Sequence, residues 1–365
     1  QKEVTNTSSA SPIPRTTDVF SEDAALLLQN CLSSALSKTE HPVQFYHVRR
    51  KGVDRRQSDP RKHCTRFGLT VLGVEKSVAE ALVLRTMLAI LEESGTNNGC
   101  VHINSMGDRD SFARFSRELS TYLRRYMGDI PIPIRETMRQ DLWSALAELV
   151  ERQHPIVEHA PRPMQFLSDA SRRHLREIVE FLEVSGIPYE INNELVGDFN
   201  YHTQTLFEIH SHDAEEEALK NPRDHVLARG GRCDNFTKRY FRTKLPAVSI
   251  VIEQREKARS SKKWDLPRVR QAKIYFIQLG SLAKLQSLPI IETLRKARIP
   301  IHQMIGNDSL TAQLEQAQTL GTLYAIIMGQ REALDKTVII RDMNTHAQHI
   351  VSVNDLPEHL RASCR

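Results

Sequence analysis

Basic side chains are concentrated in two short stretches of this 365-residue sequence, and such groups are the usual partners of phosphates. The first stretch contains Arg55, Arg56, Arg61 and Lys62, and the second spans residues 257–270. A run of charge is most often solvated surface, so a plain polar exterior is the alternative to phosphate binding. The net charge of +5 permits an acidic partner without requiring one.

Histidine and cysteine are the side chains that would bind a transition metal, and their spacing here does not predict a site. His202, His210, His212 and His225 are close in sequence but lack a fixed ligand spacing. The five cysteines are scattered, with no Cys-x-x-Cys pair, which predicts reduced thiols and no metal. The polar first residues lack a signal-peptide pattern, and no apolar run approaches the roughly 20 residues that span a bilayer. We therefore expect a cytoplasmic protein with no membrane partner.

Polar residues near the C-terminus lie where a loop enters a predicted helix. Asp308 or Ser309 would make a good N-cap for this helix. Asn307 and Ser309 could instead contact RNA, and the sequence leaves both roles open. Gln313 and Gln316 are three residues apart on the helix and should share a face. Such a face can contact the bases of a single-stranded loop.

The hydrophobic pattern supplies the elements that position these residues. Helices are predicted at residues 22–37, 78–94, 109–126, 136–153 and 170–185. Strands are predicted at residues 42–48, 67–72, 99–104, 189–195, 203–210 and 247–253. Gly230 and Gly231 are assigned to a loop between the last two strands.

Composition divides the chain into a lead, two domains and a linker. The lead is residues 1–17, the first domain 18–256 with an inserted helical module at about 130–165, the linker 257–270 and the second domain 271–365. In the second domain, strands at 273–279, 299–305 and 323–329 alternate with helices at 285–297 and 310–320. This alternation predicts a parallel or mixed sheet covered on both faces.

Five segments carry a family resemblance when they are taken in order. They are residues 67–83 (FGLTVLGVEKSVAEALV), 102–107 (HINSMG), 160–208, 227–234 (LARGGRCD) and the second domain from 273 onward. Together they resemble the histidyl-tRNA synthetases, a class II aminoacyl-tRNA synthetase family, over about residues 18–358. The resemblance implies an α+β fold, with an antiparallel sheet flanked by helices and a C-terminal α/β anticodon-binding domain.

The same resemblance implies a site that activates histidine with ATP, in which arginines stabilise the charge on the phosphates. The family segment L-V-R-G-L-D-Y-Y is replaced at residues 195–202 by LVGDFNYH, so Gly197 takes the place of an arginine. Gly52 and Gln254 lie at or near the two other arginine positions. We therefore expect that no catalytic set is intact.

Some positions of the implied substrate site are kept. They are Glu22, Tyr201, Gly230, Gly231 and Arg232. Their alternative role is maintenance of the fold, through close strand packing, a partly buried salt bridge or, at Glu22, a charge that complements a helix dipole.

Three functions agree with these observations. The first is a synthetase-like protein, defective in histidine activation, that binds tRNA or another structured RNA or has a regulatory role. The second is a divergent but active histidine–tRNA ligase, for which ATP and Mg²⁺ would be needed; otherwise no cofactor is expected. The third is a regulatory subunit of ATP phosphoribosyltransferase. The family's dimer-forming motif 1 has no recognisable counterpart before Asp18, which weakens the expectation of a homodimer.

Overall fold

The computed structural model describes residues 42–50, 64–95, 99–197, 201–211, 226–241, 245–255, 272–304 and 306–363. The chain forms two compact units. Unit 1 comprises residues 1–182 and 187–260, and unit 2 comprises residues 183–186 and 261–365. None of the helices in the described ranges has the length and apolarity needed to cross a lipid bilayer.

Within its described residues, unit 1 is built on a seven-stranded sheet with the order β1-β2-β7-β6-β5-β3-β4. The strands are β1 (Val43–Arg50), β2 (Cys64–Leu72), β3 (Gly99–Gly107), β4 (Tyr189–Ile191), β5 (Thr203–Ser211), β6 (Val226–Arg232) and β7 (Ala247–Arg255). Neighbouring strands are antiparallel, except that β3 and β4 are parallel.

Helix α1 (Val78–Glu93) covers one face of this sheet and contacts β2 and β7. Its side chains at Val83, Leu84 and Met87 are fully buried because the apolar positions recur at helical spacing. The other helices of unit 1 are α2 (Arg109–Arg125), α3 (Ile132–Gln140), α4 (Leu142–Glu151), α5 (Asp169–Val184) and α6 (Asp234–Phe241).

The inserted module was predicted to contain one helix at residues 136–153, and the structure differs from this prediction. Two helices, α3 and α4, meet at Asp141, whose backbone is extended and whose side chain accepts a hydrogen bond from the Trp143 amide. Because Asp141 caps the second helix, the first helix ends there. No proline or glycine marks this break, although one of these residues usually does.

Within its described residues, unit 2 is built on a five-stranded mixed sheet with the order β12-β11-β10-β8-β9. Its strands are β8 (Ile274–Gln278), β9 (Ile301–Gln303), β10 (Tyr324–Met328), β11 (Thr337–Asp342) and β12 (Gln348–Ser352). Its helices are α7 (Ser281–Lys296), α8 (Leu310–Thr319), α9 (Gln330–Asp335) and α10 (Leu356–Ser363). Side chains of β8 alternate between two apolar clusters, one containing Phe276 and the other Tyr275, so the sheet is covered on both faces.

The predicted fold class is confirmed, and three local predictions are corrected. Gly230 and Gly231 lie in β6 and not in a loop. The strand predicted at residues 189–195 ends at Ile191, because the Asn192 side chain accepts from the Glu194 amide and turns the chain. The strand predicted at 299–305 is limited to Ile301–Gln303.

Candidate functional site

A row of four paired residues crosses the face of the unit 1 sheet opposite to α1. Thr70 pairs with Ser249, Ser249 with Gly231, and Gly231 with Leu206. Directly paired residues on neighbouring strands point to the same face, and the Thr70 and Ser249 hydroxyls are 2.8 Å apart. Gly231 is the member of this row that the family resemblance predicts to be part of the substrate site.

Gly197, where the family resemblance predicts a missing arginine, lies beside this row. A Cβ atom there would lie 2.9 Å from both methyl groups of Leu206 and 3.1 Å from Nδ1 of His202. The Leu206 methyls and the His202 ring also lie over Gly231, at 3.0 and 3.2 Å from where its Cβ would be. Both side chains are buried. The protein therefore fills this part of the face with its own side chains.

Tyr201 lies in an apolar cluster next to the same row. Its ring stacks on Phe236, with centroids 5.3 Å apart and planes at 16°. Phe45, which pairs with Thr70, belongs to the same cluster. Tyr201 is 4% exposed, so it acts as core packing among the described residues.

The two glycines of β6 are explained by the close approach of neighbouring strands. A Cβ atom at Gly230 would overlap the Ser249 carbonyl oxygen, and one at Gly231 would lie 2.7 Å from the Thr205 carbonyl oxygen. Real Cβ contacts are not this short, so only glycine allows β6 to lie between β5 and β7. These contacts support the alternative role of fold maintenance.

Arg232 points to the α1 side of the sheet, which corrects its expected role in binding substrate. It is 1% exposed, and its Nε and Nη2 atoms each donate to a carboxylate oxygen of Glu80 at 2.8 Å. His174 Nε2 lies 2.7 Å from Oε1 of the same carboxylate. Burial alone would raise the pKa of Glu80, but Arg232 and His174 outweigh it and lower the pKa to about 2. Arg232 is thus part of a buried structural ion pair.

Gln204 is a feature of this site that sequence reasoning missed. The pairing of β5 with β6 shifts register between Thr203 and Leu206, and Gln204 has a left-handed backbone with φ at 52°. Such a conformation is uncommon for a residue with a Cβ atom. The Thr205 hydroxyl beside it is 0% exposed and has no hydrogen-bond partner within the described part of the chain. No local pattern in the sequence indicates this bulge.

Several predicted site residues lie outside the described residues. They are Glu22, Gly52, Arg55, Arg56, Arg61 and Lys62. Gln254 lies in β7, with its backbone opposite Thr65.

In unit 2, the carboxyl ends of β8, β9 and β10 meet at one edge because these strands are parallel. The loop 306–309 is held at this edge by polar contacts. Lys284 Nζ lies 2.6 Å from Oδ1 of Asp308, and the Gly280 amide donates to the same oxygen at 3.3 Å. Edges of this kind are where α/β domains place their binding groups.

The expected RNA-contact residues divide into two groups at this edge. Ser309 caps α8 by accepting from the Ala312 amide, while its side chain remains exposed beside the half-buried Asn307 and Gln316. Gln313 is 0% exposed. Its amide nitrogen donates to the carbonyl oxygens of Gln278 and Asn307 at 3.2 and 2.9 Å. The expectation that Gln313 shares an accessible face with Gln316 is therefore corrected.

Two of the four histidines considered for a metal site, His202 and His210, lie in the described residues. The His210 ring stacks on His102, with centroids 3.8 Å apart, and its Nε2 atom lies 2.7 Å from Glu208 Oε2. Burial is the main cause that lowers the pKa of His102. No group of three or more metal-ligating side chains is found in the part of the chain that the structure describes.

The chain is similar to known proteins over most of its length. A family model described as an anticodon binding domain matches residues 280–363. The histidine–tRNA ligase of Thermosynechococcus vestitus is 26% identical over 303 residues, which are 83% of this chain and 69% of that protein. The histidine–tRNA ligase of Bacillus velezensis is 25% identical over 324 residues, 88% of this chain and 75% of that protein. The crystal structure of apo S. aureus histidyl-tRNA synthetase is 19% identical, with a TM-score of 0.46, and the match covers 88% of this chain and 77% of that one.

A largely antiparallel sheet in one unit and an anticodon binding domain in the other define a protein of the class II aminoacyl-tRNA synthetase type. Within that class, the chain is similar over most of its length to histidine–tRNA ligases. The predicted resemblance to the histidyl-tRNA synthetase family is thereby confirmed.

Proposed function

We propose that this chain binds tRNA or another structured RNA and does not activate histidine. The observation that carries the loss of activation is the packing around Gly197. Because a Cβ atom there would lie 2.9 Å from the Leu206 methyl groups, an arginine side chain has no space unless Leu206 moves. Position 197 therefore supplies no cation that could stabilise the triphosphate of ATP.

The missing charge has a large energetic consequence. Activation joins a carboxylate to the α-phosphate of ATP, and removing one donor that stabilises such a transition state costs about 3–4 kcal/mol. Gly197, Gly52 and Gln254 stand at or near three arginine positions. Three such losses correspond to a reduction of many orders of magnitude in rate, even when they are not fully additive.

Histidine-dependent exchange between ATP and pyrophosphate tests the first half of the proposal. We expect no exchange above background, with a histidine–tRNA ligase from Bacillus velezensis as the working control. Gly197→Arg alone should not restore exchange, because Leu206 occupies the space and the other two positions are unchanged. Exchange at a rate typical of enzymes, on the order of 1–10³ per second, would favour the second function, a divergent active ligase like the histidine–tRNA ligases to which the chain is similar.

RNA affinity measured on the same preparation tests the second half. If Arg55, Arg56, Arg61 and Lys62 neutralise phosphates, the logarithm of affinity should fall with the logarithm of salt by about 0.7–0.9 per contact. Charge reversal of these four residues should weaken all RNAs by similar factors, because phosphate contacts do not read sequence. A dissociation constant weaker than about 10⁻⁴ M for every tRNA tested would leave a protein-regulatory role as the better proposal.

The match of an anticodon binding domain to residues 280–363 counts against the third function, a regulatory subunit of ATP phosphoribosyltransferase. Such subunits typically lack this domain.

A further inference from the structure

Two histidines of unit 2 bring the same ring atom to one point on the surface. His349 lies on β12 and His359 on α10, and their Nε2 atoms are 2.7 Å apart. The ring centroids are 4.7 Å apart, and the ring planes are inclined by 55°. The rings are therefore not stacked, and both point their Nε2 atoms at a shared position.

The backbone on each side of the pair is fixed by packing. His349 pairs with Ile340 in the ladder between β11 and β12. Helix α10 is anchored by Leu356 and Leu360, both 0% exposed, on either side of His359 in the sequence. Ligands on rigid elements bind metals more tightly than ligands on loops, because less motion is lost on binding.

The other close pair of histidine rings provides a comparison within the same molecule. His102 and His210 are stacked at an interplanar angle of 13°, and the Nε2 atom of His210 is already occupied by Glu208 at 2.7 Å. That pair has the geometry of ring packing and ion pairing. The His349–His359 pair has the geometry in which two imidazoles can ligate one ion.

We propose that His349 and His359 form a binding site for a divalent transition metal ion, with Zn²⁺ as its probe. Neutral imidazole nitrogen is a preferred ligand of Zn²⁺, Cu²⁺ and Ni²⁺. Zn–N bonds of about 2.0–2.1 Å in tetrahedral geometry place two ligating nitrogens about 3.3 Å apart, so the Nε2 atoms need to separate by roughly 0.6 Å. His349 is exposed and His359 half-buried, which leaves the remaining coordination positions to water.

The bound ion would join the edge strand β12 to helix α10. No group of three or more His, Cys, Asp or Glu side chains among the described residues could hold a metal ion, so the proposed site has two protein ligands. A ligand that binds the folded state alone raises its stability with concentration. Zn²⁺ should therefore raise the unfolding temperature of the full chain as well as bind to it.

Calorimetric titration of the full chain with Zn²⁺ tests the site, together with unfolding temperatures measured with and without the ion. His349→Ala and His359→Ala should each remove the same one equivalent of bound Zn²⁺ and the same Zn²⁺-dependent rise in unfolding temperature. His302→Ala, a histidine substitution on β9 of the same unit, is the matched control and should retain both. Zn²⁺ bound elsewhere on the chain would remain in all variants.

The result that would overturn the proposal is an unchanged stoichiometry in both His349→Ala and His359→Ala. In that case the pair is only an imidazole–imidazole hydrogen bond, and its loss lowers the unfolding temperature equally with and without Zn²⁺. Loss of the equivalent in only one variant would also overturn it, since the two rings would not share an ion.

Discussion

Gln204 stores backbone strain inside β5, with its left-handed φ of 52°. A residue with a Cβ atom costs about 1–2 kcal/mol in that conformation, while glycine adopts it freely. We expect Gln204→Gly to raise the free energy of unfolding by up to about 1 kcal/mol, because the greater chain entropy of glycine offsets part of the gain. Denaturant unfolding of the full chain measures this difference.

The matched control for that substitution is Gln44→Gly on β1, where the backbone is part of a regular strand. Glycine in a strand interior weakens the strand, so this variant should be less stable. Equal losses of stability in the two variants would show that the left-handed backbone at Gln204 is not strained.

The buried ion pair of Glu80 makes the stability of the protein depend on pH under acidic conditions, below pH 4.5. The pKa of Glu80 falls from 4.5 to about 2 on folding. A carboxyl group with a lowered folded-state pKa contributes stability above pH 4.5, and this contribution, on the order of 3 kcal/mol, is lost as the pH falls towards 2. Carbon-13 NMR of the Glu80 carboxyl group should therefore show no titration between pH 6 and 3.5. A midpoint near 4.5 would contradict the buried ion pair with Arg232.

At the scale of the element, helix α8 carries two glutamines with different surroundings: Gln313 is buried, and Gln316 is partly accessible. Gln313→Ala should lower the free energy of unfolding by about 1–3 kcal/mol, because it leaves the backbone groups of Gln278 and Asn307 without their buried partner. Gln316→Ala should change stability by less than about 0.5 kcal/mol. If bases contact this helix, it should reduce the discrimination between RNAs. Thermal unfolding and binding to two RNAs of different loop sequence separate these effects, and a large stability loss in Gln316→Ala would contradict the assignment.

The helices and strands that could be predicted from the sequence are those whose apolar residues recur with a clear period. Strand β2 and helix α1 were placed within three residues, because their apolar positions repeat every two and about every 3.6 residues respectively. Strand β12 was missed because most of it is exposed, so no alternation of apolar and polar residues marks it. A pair of glycines usually marks a turn, and Gly230 and Gly231 were assigned to a loop for that reason. Their actual role depends on strands that are distant in the sequence.

The sequence alone shows the glycine at position 197, but it does not show the side chains that pack around it. The family resemblance indicates the missing arginine at Gly197 directly from the sequence. The burial of Leu206 over Gly231 depends on pairing between β5 and β6 and on the bulge at Gln204. Such packing between strands has no local signature. The same reason explains why Gln313 was expected at the surface.

At the scale of the molecule, each unit has apolar clusters made only of its own residues. The two clusters of unit 2 contain the central strand side chains Tyr275 and Phe276 and are completed by residues between 274 and 360. We therefore expect residues 261–365 to fold when expressed alone, because the sheet and its covering helices are all present. Circular dichroism with a cooperative thermal transition would show this. A broad, non-cooperative melt, with residues 1–260 needed for order, would contradict the division at residue 260.

The Glu80–Arg232 pair has a consequence for the ancestry of this protein. The two residues are 152 positions apart in the sequence, yet removal of either alone would leave a buried charge at a cost of about 3–5 kcal/mol. That cost is a large part of the roughly 5–15 kcal/mol that keeps a domain folded. A lineage can therefore hardly lose one partner first, whereas a joint exchange for apolar residues is tolerable. Homologues should therefore keep both Glu80 and Arg232 or replace both of them. This should hold whatever changes have occurred on the opposite face of the sheet.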